Sequence, residues 1–186
     1  MLITAGRKLK YYNWINHETG IICLFGRENV NMTVDIDTLY EMLDEEQPIE
    51  IQEAALREAR KIKSLSVLMQ PVEYKWSWEN CAKVICEKTD KELDTYICEM
   101  LEWLRDLNWP GAFLIMERLE KMDSQLLVYA VRYQVKQALL LKDNEWLTYM
   151  SYLLKNKKLY DALSEDKKYQ KIMRRYYESY WGELKY

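Results

Sequence analysis

Residues 103–119, WLRDLNWPGAFLIMERL, decide how this chain folds. They set Asp106, Asn108, Trp109, Pro110 and Gly111 between two apolar runs. Such a stretch is either a catalytic constellation or a corner between two helices. The residue before a proline is driven out of the helical region, so Pro110 stops any helix at or before Trp109. Asn108 offers a side-chain oxygen to the next helix start. Asp106 offers its carboxylate to the same exposed amides, or to Arg105 or Arg118, and a cap of this kind contributes about 1 kcal/mol. Trp109 is expected to fold back over the previous helix as a staple. Pro110 fixes φ, and Gly111 lets a neighbouring backbone come close. As a general base Asp106 would need a group to orient it or take up its proton, and no His or Cys lies beside it in sequence. Trp103, Asp106, Asn108, Trp109 and Pro110 are therefore assigned to a structural corner, and no residue is assigned to catalysis.

Helical signals follow one another on both sides of this corner. Thr38-x-x-Glu41 has the form of a capping box. Pro48 suits a helix start, and Ile51, Ala55, Ala59, Ile62 and Ser66 continue it at helical spacing until Pro71. VEYKWSW is the expected connection to ENCAKVICEK, the next helix. Thr89-x-x-Glu92 opens one whose apolar face holds Leu93, Ile97, Met100, Leu101 and Leu104. Beyond the corner, Ala112, Ile115, Met116 and Leu119 point inward. Asp123 or Ser124 caps a long helix to Leu141, and Asp143 or Asn144 caps the next. Ser164, followed by Glu165 and Asp166, begins the last helix, with an inward stripe of Tyr169, Ile172, Met173, Tyr176, Tyr180 and Leu184.

Residues 1–31 differ. Three of the five glycines, Gly6, Gly20 and Gly26, lie there, and TGIICLFGRENV reads as a short strand between turns. The expected organisation is an N-terminal extension over residues 1–31, irregular or a short hairpin, followed by a helical domain over residues 32–186. Trp109 and Trp146 each follow a polar turn and precede an apolar helix. Their separation falls within the period of helical-pair repeats, ~30 to 47 residues, which suggests stacked helical hairpins.

Composition agrees with an all-α fold. The 186 residues hold only 5 Gly and 3 Pro, too few for a turn-rich β fold, and are 49% hydrophobic. A net charge of −3 argues against nucleic acid as the main partner. No apolar run approaches the ~18 residues of a membrane span, and MLITAGRKLKYYNW contains no secretory apolar region, so the expected location is cytoplasmic, with reduced thiols.

LEWLRDLNWPGA resembles a bacterial domain of unknown function with the signature Leu-x-Trp-Leu-x-Asp-x-Asn-Trp-Pro-x-Ala. The matching positions are Leu101, Trp103, Leu104, Asp106, Asn108, Trp109, Pro110 and Ala112, and KDNEW, with Asp143 and Trp146, resembles its second half. The resemblance implies a small HEAT-like helical array. It also implies a protein-binding module, immunity proteins among the examples.

The remaining candidates are thin. His17 is the sole histidine, so a Cys-His dyad depends on Cys23 meeting it in the N-terminal segment. Cys81, Cys86 and Cys98 lack zinc-ligand spacing, and isolated glycines make no phosphate loop, so neither metal nor cofactor is expected. Glu41, Asp44, Glu45, Glu46 and Glu50 form an acidic cluster. With Trp76 and Trp78, Glu41, Asp44, Glu45 and Glu46 are the candidate surface for a partner protein, a basic one on charge grounds. In DKKYQKIMRRYYESYWGELKY, Lys171, Arg174 and Arg175 among the aromatics are the candidate contacts of the alternative function, nucleic-acid binding. The expected protein is a non-enzymatic interaction module on a HEAT-like array of about seven stacked helices.

Overall fold

The computed structural model describes residues 13–15, 22–24, 34–164 and 167–186. Asn13–Ile15 (β1) and Ile22–Leu24 (β2) pair antiparallel, with Trp14 opposite Cys23. The chain divides into Met1–Val34 and Asp35–Tyr186, and the regular elements described in the second unit are all α-helices or 3-10 turns. His17, Met32, Glu165 and Asp166 lie outside the described residues.

α1 (Ile36–Met42) starts at Asp35, whose carboxylate accepts from the Thr38 amide at 3.0 Å and from its hydroxyl at 2.7 Å. The expected Thr38 cap is thus corrected: Thr38 is a donor in the first turn, because Asp35 brings two acceptor oxygens three residues earlier. α2 (Ile49–Ala59) follows Pro48 and stops well short of Ser66. It ends where Arg60, Lys61 and Lys63 gather at its negative pole and Lys88 Nζ donates to the Arg60 carbonyl at 2.9 Å. Ile62 and Ser66 fall outside α2, and Leu65–Leu68 is a separate 3-10 turn burying Leu65 and Leu68.

α3 (Trp78–Cys86) begins earlier than expected, so Trp78 belongs to a helix and not to the connection. The Thr89 capping box is complete: the Thr89 amide and hydroxyl donate to Glu92 at 2.9 and 2.7 Å, and the Glu92 amide returns a bond at 3.4 Å. It opens α4 (Asp90–Leu93), which a 3-10 turn at Asp94–Tyr96 separates from α5 (Ile97–Trp103). Past the corner come α6 (Ala112–Glu120) and α7 (Ser124–Leu141), the latter capped by Asp123. α8 (Asn144–Ser151) is capped by Asp143, which accepts from the Trp146 amide at 3.0 Å.

α9 (Lys157–Leu163) is a separate helix that periodicity alone does not divide from its neighbours. Asn156 starts it, accepting from the Leu159 amide at 3.1 Å. Its Nδ2 donates to the carbonyls of Glu120 at 2.9 Å and Met122 at 3.0 Å, closing the end of α6 as well. In α10 (Lys167–Tyr180) the buried side chains are Met173 and Tyr177. Tyr180, expected inward, is exposed and stacks edge-on against Tyr149 and Trp181.

The helices form two rows. α3 packs on α6, and α6 on the 3-10 turn Tyr152–Lys155; α5 packs on α7, and α7 on α9. Between them lie Met100, Leu101, Ile115, Leu119, Leu127, Val131 and Leu153, all buried. Each large side chain of this kind contributes roughly 1.5–3 kcal/mol.

Within the first row, α3 and α6 come close together at Gly111, which enters α6 with φ +79°. A Cβ built there would stand 2.4 Å from Ala82 Cβ of α3. Gly111→Ala is therefore expected to lower stability by roughly 2–4 kcal/mol in urea unfolding, from the strained φ and the overpacked contact together. Unfolding at wild-type denaturant concentration would show that α3 and α6 are not held this close.

Candidate functional site

The corner is built inward from Trp103. Its indole is fully buried and its Nε1 donates to the Pro110 carbonyl at 3.0 Å, holding the far side of the turn against the end of α5. Asp106 Oδ1 accepts from the Asn108 amide at 2.8 Å and from Asn108 Nδ2 at 3.0 Å, closing a local turn. Asn108 therefore does not cap α6, as expected above; Gly111 occupies that position without a side-chain cap. Trp109 is half-buried, and its ring meets Trp78 of α3 edge-on at 5.6 Å, while Trp78 meets Trp103 at 5.9 Å. Neither expected arginine pairs with Asp106. Arg105 reaches Asp143 at 3.4 Å, and Arg118 reaches Asp90 at 2.5 Å and the Lys88 carbonyl at 2.8 Å. Burial works against the Asp90 carboxylate, but Arg118 and the Asp123 amide outweigh it and hold it below the usual aspartate range.

Cys81 and Cys86 are buried or half-buried thiols. Burial pushes Cys81 up to about 12 and Cys86 up to about 11, so both stay protonated at neutral pH. Among the described residues no group of His, Cys, Asp and Glu could hold a metal ion. An open hollow of about 420 Å³ is lined by Arg60, Lys61, Lys63, Lys88, Glu92 and Tyr96. Its cations largely serve the helix ends: Arg60 is bound to Glu87 at 2.6 Å, Lys61 to Glu58 at 2.7 Å and Lys88 to the Arg60 carbonyl.

The C-terminal cations are unequal. Lys171 and Arg175 are exposed, whereas Arg174 is bound to Glu178 at 2.7 Å and to the Tyr160 hydroxyl at 3.3 Å. Glu178 lies one turn further along α10 and neutralises part of the basic face.

The acidic cluster divides into two groups around one exposed tryptophan. Tyr40, Tyr74 and Trp76 form a ladder with ring separations of 4.8 and 5.9 Å, and Trp76, at its end, is 48% exposed. The Tyr74 hydroxyl donates to Asp37 at 3.2 Å. Desolvation, that bond and the charges of Asp37, Glu41 and Glu73 raise its pKa, which marks three carboxylates around one ring. On the other side, the Glu45 amide donates to the Trp76 carbonyl at 3.4 Å. Glu45 is pushed above the usual glutamate range by desolvation and by Glu79, with Lys83 opposing. Asp44 uses its carboxylate locally, accepting from the Glu46 amide at 2.8 Å; Glu46 and Glu50 are exposed.

Trp78 requires correction as a partner-binding residue. It is buried between Trp103 and Trp109, and its indole donates to the Pro71 carbonyl at 2.9 Å. Sequence patterning missed Asp37, Glu73 and Tyr74. The i, i+4 spacing of Asp37 and Glu41 was a usable signal for a shared helix face; the approach of Glu73 depends on the irregular 69–77 segment and left none.

Two tests follow from this geometry. Asp106→Asn keeps an acceptor for the Asn108 amide and is expected to change stability by less than about 0.5 kcal/mol, while Asp106→Ala costs about 1 kcal/mol. Equal losses would mean that the charge itself matters. For Glu45, a raised native pKa means that the folded state binds the proton more readily, so stability falls as pH rises through the carboxylate range and stays reduced above it. Glu45→Gln should raise the melting temperature at pH 7, and the gain should vanish below the unfolded glutamate pKa. A lower melting temperature at pH 7 would contradict the repulsion between Glu45 and Glu79.

No curated protein and no solved structure matches the chain. A family model, described as a domain of unknown function (DUF5071), matches residues 79–176, from α3 into α10. The chain belongs to the DUF5071 family of domains of unknown function.

Proposed function

We propose that this chain is a non-enzymatic protein-interaction module that takes a basic partner on the edge around Trp76, in the manner of an immunity protein. Its two rows of helices are then a HEAT-like array, in which short hairpins stack into an extended binding face. One observation carries the reading: Trp76 is exposed at the end of an aromatic ladder, beside Tyr74, which feels the charges of Asp37, Glu41 and Glu73, and its carbonyl accepts from the amide of Glu45, which feels the charge of Glu79. An exposed tryptophan anchors an interface through its area and offers its face to a lysine or arginine. The surrounding carboxylates steer that cation inward, and its arrival relieves the repulsion between Glu45 and Glu79. Trp76 and four of these carboxylates, Asp37, Glu41, Glu45 and Glu73, lie before the residues matched by the family model, which begin at Glu79.

The test compares capture of basic proteins from a native lysate by the wild type, by Trp76→Ala and by the combined Asp37→Asn, Glu41→Gln and Glu73→Gln variant. A basic protein retained by the wild type at low salt, released as salt rises and lost from both variants supports the edge. Retention by both variants at wild-type levels, with unfolding unchanged, contradicts it.

A further inference from the structure

α7 has the composition of a buried helix and yet has one bare side. SQLLVYAVRYQVKQALLL contains no acidic residue and only Arg132 and Lys136 as charges. A helix apolar all round is normally covered on every side. Here Tyr129 is 75% exposed, Tyr133 56% and Leu140 68%. At about 100° per residue these three, with half-buried Leu126, fall within a sector of about 60°. An exposed apolar stripe of this kind, flanked by Lys136 and Gln137 between Tyr133 and Leu140, marks an interface.

The charges beside the stripe say what covers it. On one side Gln134 Nε2 donates to the Cys98 carbonyl of α5 at 3.1 Å and reaches Glu102 at 3.5 Å, so Glu102 borders that flank, with Glu99 exposed on the same helix. On the other side Arg132 donates to the Ala162 carbonyl of α9 at 3.2 Å. Lys136, one turn further along α7, and Lys158, one turn before Ala162, are exposed there. Across the face the surface thus runs from the negative Glu102 through the apolar stripe to Lys136 and Lys158, where the nearby Asp161 is neutralised by Lys157 at 2.8 Å. Such a surface is complementary to itself when rotated about an axis parallel to α7, which lays the Lys136 side of each copy on the Glu102 side of the other. An axis across α7 would instead set acid on acid. An anionic lipid surface would meet the same Glu99 and Glu102.

We propose that the outward face of α7 is a homodimer interface, in which a second copy of the chain packs on Tyr129, Tyr133 and Leu140 about a two-fold axis parallel to the helix. The proposal is independent of the Trp76 edge. In such an isologous contact each stripe residue lies beside its own counterpart. Two helices of this length bury less than about 1,200 Å², so the dimer forms in a concentration-dependent way.

The full chain is examined by light scattering over a dilution series, and Tyr129→Cys, Tyr133→Cys and Leu140→Cys are each oxidised mildly beside the parent chain with its native cysteines. The expected result is a dimer at high concentration, a self-crosslink at all three positions above the parent's background, and a monomer for Tyr133→Glu with unchanged thermal unfolding. Lys136→Glu should weaken the dimer at least tenfold, and adding Glu102→Lys should restore it. A wild-type monomer at every concentration overturns the proposal, whether the stripe stays bare or the chain instead sediments with phosphatidylglycerol vesicles. A self-crosslink at Tyr133 alone overturns the parallel axis.

Discussion

The fold depends on buried indole N–H groups that find backbone carbonyls in another segment. Trp103 donates to Pro110 across the corner, Trp78 to Pro71 across the loop that precedes α3, and Trp146 to Leu101 at 2.7 Å from the start of α8 to α5. A buried N–H left without a partner is costly, so each indole permits few placements of the segment that carries its acceptor. The apolar rings then pack where the hydrogen bonds have set them, and the Trp78–Trp103–Trp109 cluster adds edge-to-face contacts. Gly111 completes the arrangement by removing the side chain that would keep α6 away from α3.

The aspartate, asparagine, tryptophan and proline of the corner each hold part of the turn in place. One oxygen of the Asp106 carboxylate accepts both bonds from Asn108, from its amide and from its side chain. What the array leaves available for recognition lies elsewhere, on surfaces where aromatic rings stay uncovered and charges stay unbalanced. The Trp76 edge is aromatic and acidic, and the outer face of α7 is aromatic and flanked by opposite signs. The two proposed surfaces differ in charge pattern and are positioned by different helices.

Much of the helical frame was legible in the sequence because its punctuation is local. Thr89-x-x-Glu92, Asp123, Asp143 and Pro110 each act on backbone groups within a few residues, and each stands at a boundary. The failures occur where a distant group decides. α2 ends at Ala59 where Lys88, from beyond α3, takes its terminal carbonyl. Asn156 starts α9 while binding Glu120 and Met122, which no local pattern reveals. Trp78 reads in sequence as part of a short connection, yet Trp103 and Trp109 close over it. The acidic cluster was visible as composition. Its division around Trp76, and the carboxylates Asp37 and Glu73 that complete it, required the turn that brings residues 73–76 against α1.

The claim that indole-to-carbonyl bonds hold the array is tested most directly by native-state hydrogen exchange of the tryptophan side chains, followed residue by residue by NMR. The indole N–H of Trp103 should exchange only through global unfolding, with Trp78 and Trp146 close to it, while that of Trp76 should exchange orders of magnitude faster. A Trp103 indole that exchanges as fast as that of Trp76 would contradict the account.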